Sequence, residues 1–97
     1  MPNLKIEIGG DFKWVDAVIV DSANSKTALD LQGSPATANA DIASGKFARL
    51  VMTATADPGT QITANILRAG KSVCIKRYYK VDENGHCDRV IVFDPDA

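Results

Sequence analysis

Short segments in which apolar and polar side chains alternate one by one are the feature that most limits the folds open to this chain. Leu4-Lys5-Ile6-Glu7-Ile8 is the clearest of them. This period of two belongs to a β-strand with one buried face, whereas an amphipathic helix repeats every 3.6 residues. The β-branched residues Val, Ile and Thr number 22, and Asp outnumbers Glu ten to two. These counts favour strands and turns over helix interiors, and the sequence therefore predicts a mainly β protein.

Turn signals divide the chain into about seven predicted strands. These run over residues 4–8, 12–21, 26–31, 46–56, 61–69, 72–81 and 87–93. Successive hairpins with few helical signals predict an antiparallel β-sandwich or a small barrel, in a single compact domain over residues 1–97. Residues 33–45 fit two interpretations. Ser34 and Gly45 can cap a short helix over residues 35–44, but Ile42 is the one large apolar residue there, so an ordered loop fits equally well.

The segment Asp57-Pro58-Gly59-Thr60 is a strong turn signal and predicts a hairpin between the strands on either side. Pairing Asp57 with Gln61 separates apolar from polar residues, whereas a register shifted by one residue mixes the two faces. The resulting polar face can hydrogen-bond a carbohydrate-like ligand. It comprises Thr53, Thr55, Thr63 and Asn65.

The segment Asp82-Glu83-Asn84-Gly85 predicts a second hairpin, with a type I turn and a bulge at Gly85. This register pairs Val81 with Cys87 and Tyr78 with Val90. One face of the hairpin is then half apolar, with an aromatic ring and flanking charges of the kind found at protein contact surfaces. That face comprises Lys76, Tyr78, Lys80, Asp88, Val90 and Val92.

Residues suited to catalysis or metal binding do not form a recognisable pattern. Cys74 and Cys87 would lie more than about 15 Å apart along the predicted hairpin, and a disulfide needs Cα atoms within about 7 Å. His86 and Cys87 are sequence neighbours on a strand, so they point to opposite faces and cannot form a catalytic dyad. No zinc-ligand or calcium-loop spacing occurs. We therefore predict two thiols, no metal site, no cofactor and no catalytic residue.

Charge and hydropathy restrict the classes of partner. The net charge is -1 and the pI is about 5.7, which disfavours binding to nucleic acid or to an anionic membrane. No apolar run approaches the ~20 residues that span a bilayer, and the first residues lack the apolar stretch of a signal peptide. Together with the two thiols, these features predict a cytoplasmic protein.

Two hypotheses about function follow, since no segment carries the motif of a known family. The first is a non-catalytic interaction module that binds itself as a homodimer, or binds another protein, through the half-apolar hairpin face. The second is a small-ligand, carbohydrate-like binding domain that uses Trp14 as a stacking platform or the threonine and asparagine face. A small enzyme is a third interpretation, and it requires a pocket that brings distant residues to His86.

Overall fold

The computed structural model describes residues 3–45 and 47–96, with the backbone alone for Ile75. Eight strands lie in this part of the chain: β1 (Asn3–Gly9), β2 (Phe12–Val20), β3 (Lys26–Ala28), β4 (Ala36–Asp41), β5 (Ala48–Ala56), β6 (Gln61–Arg68), β7 (Lys71–Lys80) and β8 (His86–Phe93). Sheet A has the order β4-β1-β6-β7, and sheet B has the order β3-β2-β5-β8. Every pairing is antiparallel. The predicted mainly β fold is confirmed, and of the two predicted architectures the structure has the sandwich rather than the small barrel.

One hydrophobic core lies between the two sheets and is built from inward-facing residues of every strand except β3. In β1 the side chains of Leu4, Ile6 and Ile8 are fully buried, as are those of Leu50 and Met52 in β5. The residues between them are more exposed, as the pleat of a strand requires. The period of two that is visible in the sequence therefore correctly indicates which side chains fill the core.

Both predicted hairpins are wrong. Strand β5 pairs with β2 and β8, whereas β6 pairs with β1 and β7. Residues 57–60 therefore carry the chain from sheet B to sheet A, and residues 82–85 carry it back. A four-residue connection extends to about 13 Å. It can join neighbouring strands about 4.8 Å apart or facing sheets about 10 Å apart, so the turn residues alone do not decide between the two.

The turn at residues 82–85 keeps its predicted local geometry although its flanking strands separate. Gly85 has a φ of 81°, and its N–H donates to the carbonyl of Asp82 at 3.0 Å. The two sheet-crossing turns also bind each other. The N–H of Ala56 donates to the carbonyl of Gly85 at 3.1 Å, and that of Val81 donates to Thr60 at 2.9 Å. These bonds hold both turns at one end of the sandwich.

The segment that fitted either a helix or a loop forms a strand instead. In β4, Ala36, Ala38 and Ala40 are buried and alternate with more exposed polar residues. Alanine is small and a good helix former, so this alternation is a weak strand signal in the sequence. The described residues contain no helix, and so none that could cross a membrane.

Two other predicted strands differ from the structure at their ends. The strand predicted over residues 26–31 stops at Ala28. The strand predicted over residues 46–56 begins at Ala48, and Lys46 lies outside the described residues. The pairing of β2 with β5 contains a register shift between Phe12 and Trp14.

Candidate interaction surface

The predicted site residues are divided between the two outer faces of the sandwich, so neither predicted face exists as one surface. The outer face of sheet A carries Thr63, Asn65, Lys76, Tyr78 and Lys80. The outer face of sheet B carries Trp14, Thr53, Thr55, Asp88, Val90 and Val92. This division follows directly from the two turns that cross between the sheets.

The outer face of sheet A presents one exposed aromatic ring among polar groups. Tyr78 is 60% exposed and pairs with Thr63 across β6 and β7. The Lys76 ammonium lies 5.8 Å from the centre of the Tyr78 ring. The Ser72 hydroxyl donates to the side-chain oxygen of Asn65 at 3.0 Å. Part of this polar face is therefore already engaged in contacts within the protein.

Strand β7 is the edge of sheet A and is protected against adding a further strand. Its cations are Lys71, Lys76, Arg77 and Lys80, all exposed. Its pairing with β6 contains two register shifts between Ala64 and Leu67. Charged side chains and bulges are the usual devices that prevent pairing at a sheet edge, so we assign the positive charge of β7 to this protective role.

The outer face of sheet B carries a contiguous row of three valines, of which two are exposed and Val18 is half-buried. We name this surface the valine face. Its side chains are Trp14, Asp16 and Val18 from β2, Arg49, Val51, Thr53 and Thr55 from β5, and His86, Asp88, Val90 and Val92 from β8. The register aligns Val18, Val51 and Val90 side by side. Val51 is 38% exposed and Val90 60%. Adjoining exposed apolar side chains are typical of a contact surface.

Opposite charges border the valine row on its two sides. On one side the register aligns Asp16, Thr53 and Asp88, and on the other it aligns Arg49 with Val92. None of the ion pairs within residues 3–45 and 47–96 includes Arg49, Asp16 or Asp88. The valine row is thus bordered by two carboxylates and one guanidinium that lie outside these ion pairs. The Oδ1 of Asp16 accepts the N–H of Ala17 at 3.0 Å.

Aromatic side chains lie toward the two ends of the valine face. Trp14 is 52% exposed and shares a row with Thr55 and His86. Phe47 directly precedes β5, at the opposite end, and is 73% exposed. Large aromatic rings carry much of the binding energy at protein interfaces, so their exposure adds to the evidence for a contact surface here.

The predicted site residues include neither Asp16, Val18, Arg49 and Val51 of this face nor Phe47 beside it. A local signal was present, because Arg49 and Val51 alternate with buried residues of β5. That signal shows that they point outward but not which residues lie beside them. Their neighbours come from β2 and β8, which are distant in sequence.

Cys87 is buried in the core and is unsuited to nucleophilic chemistry. Burial raises the pKa of its thiol above the usual value, and the neighbouring Arg89 guanidinium offsets this only in part. His86 is exposed on the outer face, so the predicted divergence of His86 and Cys87 is confirmed. Cys74 and Cys87 are both thiols, as predicted. Cys74 and Cys87 lie in different sheets, so the distance along a hairpin that predicted the absence of a disulfide does not apply.

Cys87 should resist thiol reagents as long as the protein is folded. Because burial raises the pKa of the Cys87 thiol above its usual value, the protonated form is favoured, whereas the thiolate is the reactive form. We expect Cys74→Ser, which retains Cys87 alone, to react with Ellman's reagent only after denaturation. Cys87→Ser, which retains Cys74, is the control for a partly exposed thiol. Immediate reaction of folded Cys74→Ser would contradict the burial of Cys87.

The described residues contain no pocket and no cluster of three or more potential metal ligands. The chain matches no model of a known protein family, no curated protein and no solved structure. The surfaces of the described residues that are open to a partner are the two outer faces of the sandwich.

Proposed function

We propose that this protein is a non-catalytic interaction module that self-associates as a homodimer through the valine face. One observation carries the proposal: a valine row in which Val51 and Val90 are exposed lies between two carboxylates, Asp16 and Asp88, on one side and Arg49 on the other. The valines supply apolar area to bury, and the charges supply specificity. The hairpin face of the sequence analysis contributes only its β8 half, since Tyr78 lies on the other sheet.

A second copy of this chain is the partner that the charge pattern favours. In a two-fold symmetric dimer the same patch contacts itself, so the patch has to be self-complementary. A surface with carboxylates on one side of an apolar row and a guanidinium on the other meets this condition. A partner of uniform charge would be attracted by one side of the row and repelled by the other.

The carbohydrate-binding alternative has a narrower basis in this fold. Trp14 and Thr55 lie on sheet B, whereas Thr63 and Asn65 lie on sheet A. The five candidate ligand-binding residues therefore cannot act on one ligand together. What remains of the alternative is two separate groups, Trp14 with Thr53 and Thr55 on sheet B and Thr63 with Asn65 on sheet A.

Val51→Asp tests the proposed function. We expect this substitution to weaken self-association at least ~100-fold, because it places an unpaired carboxylate at the centre of the apolar contact. Molar mass by light scattering over a concentration series should show twice 10.4 kDa for the wild type. The variant should remain monomeric at the same concentrations.

Tyr78→Asp is the matched control, because Tyr78 is a large exposed apolar residue on the opposite face. It should leave the dimer intact. Circular dichroism establishes that both variants are folded. A wild type that stays monomeric up to millimolar concentration would refute the proposal, and so would a folded Val51→Asp that dimerises like the wild type.

A further inference from the structure

The charged groups of the valine face have a spacing that suits one particular way of joining two copies. Asp16 and Asp88 lie on either side of Thr53, each one strand away. Neighbouring strands are about 4.8 Å apart, so the two carboxyl-bearing residues leave a gap of about 10 Å above Thr53. A guanidinium, which binds carboxylates through several N–H groups, fits a gap of this size.

The residue able to fill that gap lies on the same strand. Val51 is midway between Arg49 and Thr53 on β5, and each is about 6.8 Å from it along the strand. Consider a two-fold axis that lies between two facing copies and runs perpendicular to the strands at Val51. Such an axis places Arg49 of one copy over Thr53 of the other. We infer that two copies bind face to face about this axis, with Arg49 of each lying between Asp16 and Asp88 of the other. This inference rests on the proposed self-association.

The usual angle between packed sheets is compatible with this arrangement. Facing sheets pack at about 30° to one another. Arg49 lies about 6.8 Å from the axis, so this rotation moves it sideways by about 3.4 Å. That displacement is smaller than one strand spacing, so Arg49 stays between the two carboxylates. Phe47 precedes Arg49 by two residues, and the same axis brings it to Thr55 of the other copy, between Trp14 and His86.

Edge-to-edge pairing of β8 with β8 of a second copy is less favoured by the same residues. Antiparallel pairing centred on Val90 would place Asp88 of one copy opposite Val92 of the other, so Asp88 would face no positive charge. Arg89 is exposed at this edge and lies 5.2 Å from the ring of Tyr79 in sheet A. A charged side chain at an edge opposes strand addition. The face-to-face arrangement instead matches every charge that borders the valine row.

A charge exchange between two variants tests this arrangement directly. The first variant is Arg49→Asp, and the second is the double variant Asp16→Lys with Asp88→Lys. In a dimer of either variant alone, residue 49 of each copy meets like charges at residues 16 and 88 of the other copy. We therefore expect the dimer of each variant to be at least ~100-fold weaker than that of the wild type. In an equimolar mixture every contact has opposite charges again. We expect a mixed dimer that forms within about tenfold of the wild-type affinity, measured by native mass spectrometry.

Lys76→Asp is the control, since it reverses a charge on the outer face of sheet A and should leave the dimer unchanged. Arg49→Gln, which removes the charge and shortens the side chain without adding a carboxylate, should also weaken the dimer. If Val51→Asp disrupts the wild-type dimer but the mixture stays monomeric, the arrangement is wrong and self-association stands. If Arg49→Asp dimerises like the wild type, the arrangement is also overturned. A wild-type protein that remains monomeric would contradict the proposed self-association itself.

Discussion

Leu50→Ala should lower the free energy of unfolding by about 2–5 kcal/mol, the range measured for deleting a buried leucine side chain. Leu50 is fully buried at the centre of sheet B, within the core between the two sheets. Shortening it removes apolar contacts and leaves a cavity that a close-packed interior fills only in part. Since small domains are stable by about 5–15 kcal/mol, this one change removes a large share of the total.

Leu67→Ala is the matched control for this prediction, because it deletes the same atoms from the outer face of sheet A. Leu67 is partly exposed and pairs with the exposed Lys5, so we expect a loss of about 1 kcal/mol. Denaturant unfolding with an unchanged m-value measures both variants. Equal losses for Leu50→Ala and Leu67→Ala would contradict the assignment of inner and outer faces.

Asp21→Ala should lower the free energy of unfolding by about 2–4 kcal/mol, through lost hydrogen bonds rather than lost packing. Asp21 is 7% exposed. Its Oδ1 accepts the N–H groups of Ala23 at 3.0 Å and Ser25 at 2.9 Å, and its Oδ2 accepts that of Ala43 at 3.3 Å. This carboxylate ties the β2–β3 turn to the segment after β4. Alanine would leave all three donors without this acceptor.

Two further substitutions separate this effect from a simple loss of charge. Asp21→Asn keeps the shape and one side-chain oxygen acceptor, so its loss should lie between those of the wild type and Asp21→Ala. Asp30→Ala removes an exposed carboxylate whose one hydrogen bond comes from Gln32. It should change the free energy of unfolding by less than about 0.5 kcal/mol. Similar unfolding midpoints for Asp21→Ala and Asp30→Ala would show that Asp21 does not organise these loops.

The direction in which each side chain points could be predicted from the sequence. In β8, Cys87 and Ile91 are buried while Val90 and Val92 are exposed, as the alternation predicts. This assignment holds even though the predicted partner strand was wrong. The period of two is a property of one strand, so it does not depend on which strand lies beside it.

The candidate site could be predicted only in fragments. Trp14, Thr53, Asp88 and Val90 were each identified, but as members of different surfaces. The valine row exists because β2, β5 and β8 are neighbours in one sheet, and these strands come from three distant parts of the chain. No local pattern around Val51 records that arrangement.

The sequence by itself therefore determined where seven of the eight strands lie, which of their side chains enter the core and where the chain turns tightly. Each of these depends on interactions within a few residues, such as the pleat of β1 or the positive φ at Gly85. The tertiary structure alone decided that residues 57–60 and 82–85 cross between sheets. A connection of four residues fits a hairpin or a crossing equally well. The choice follows from how all eight strands together bury their apolar faces against each other.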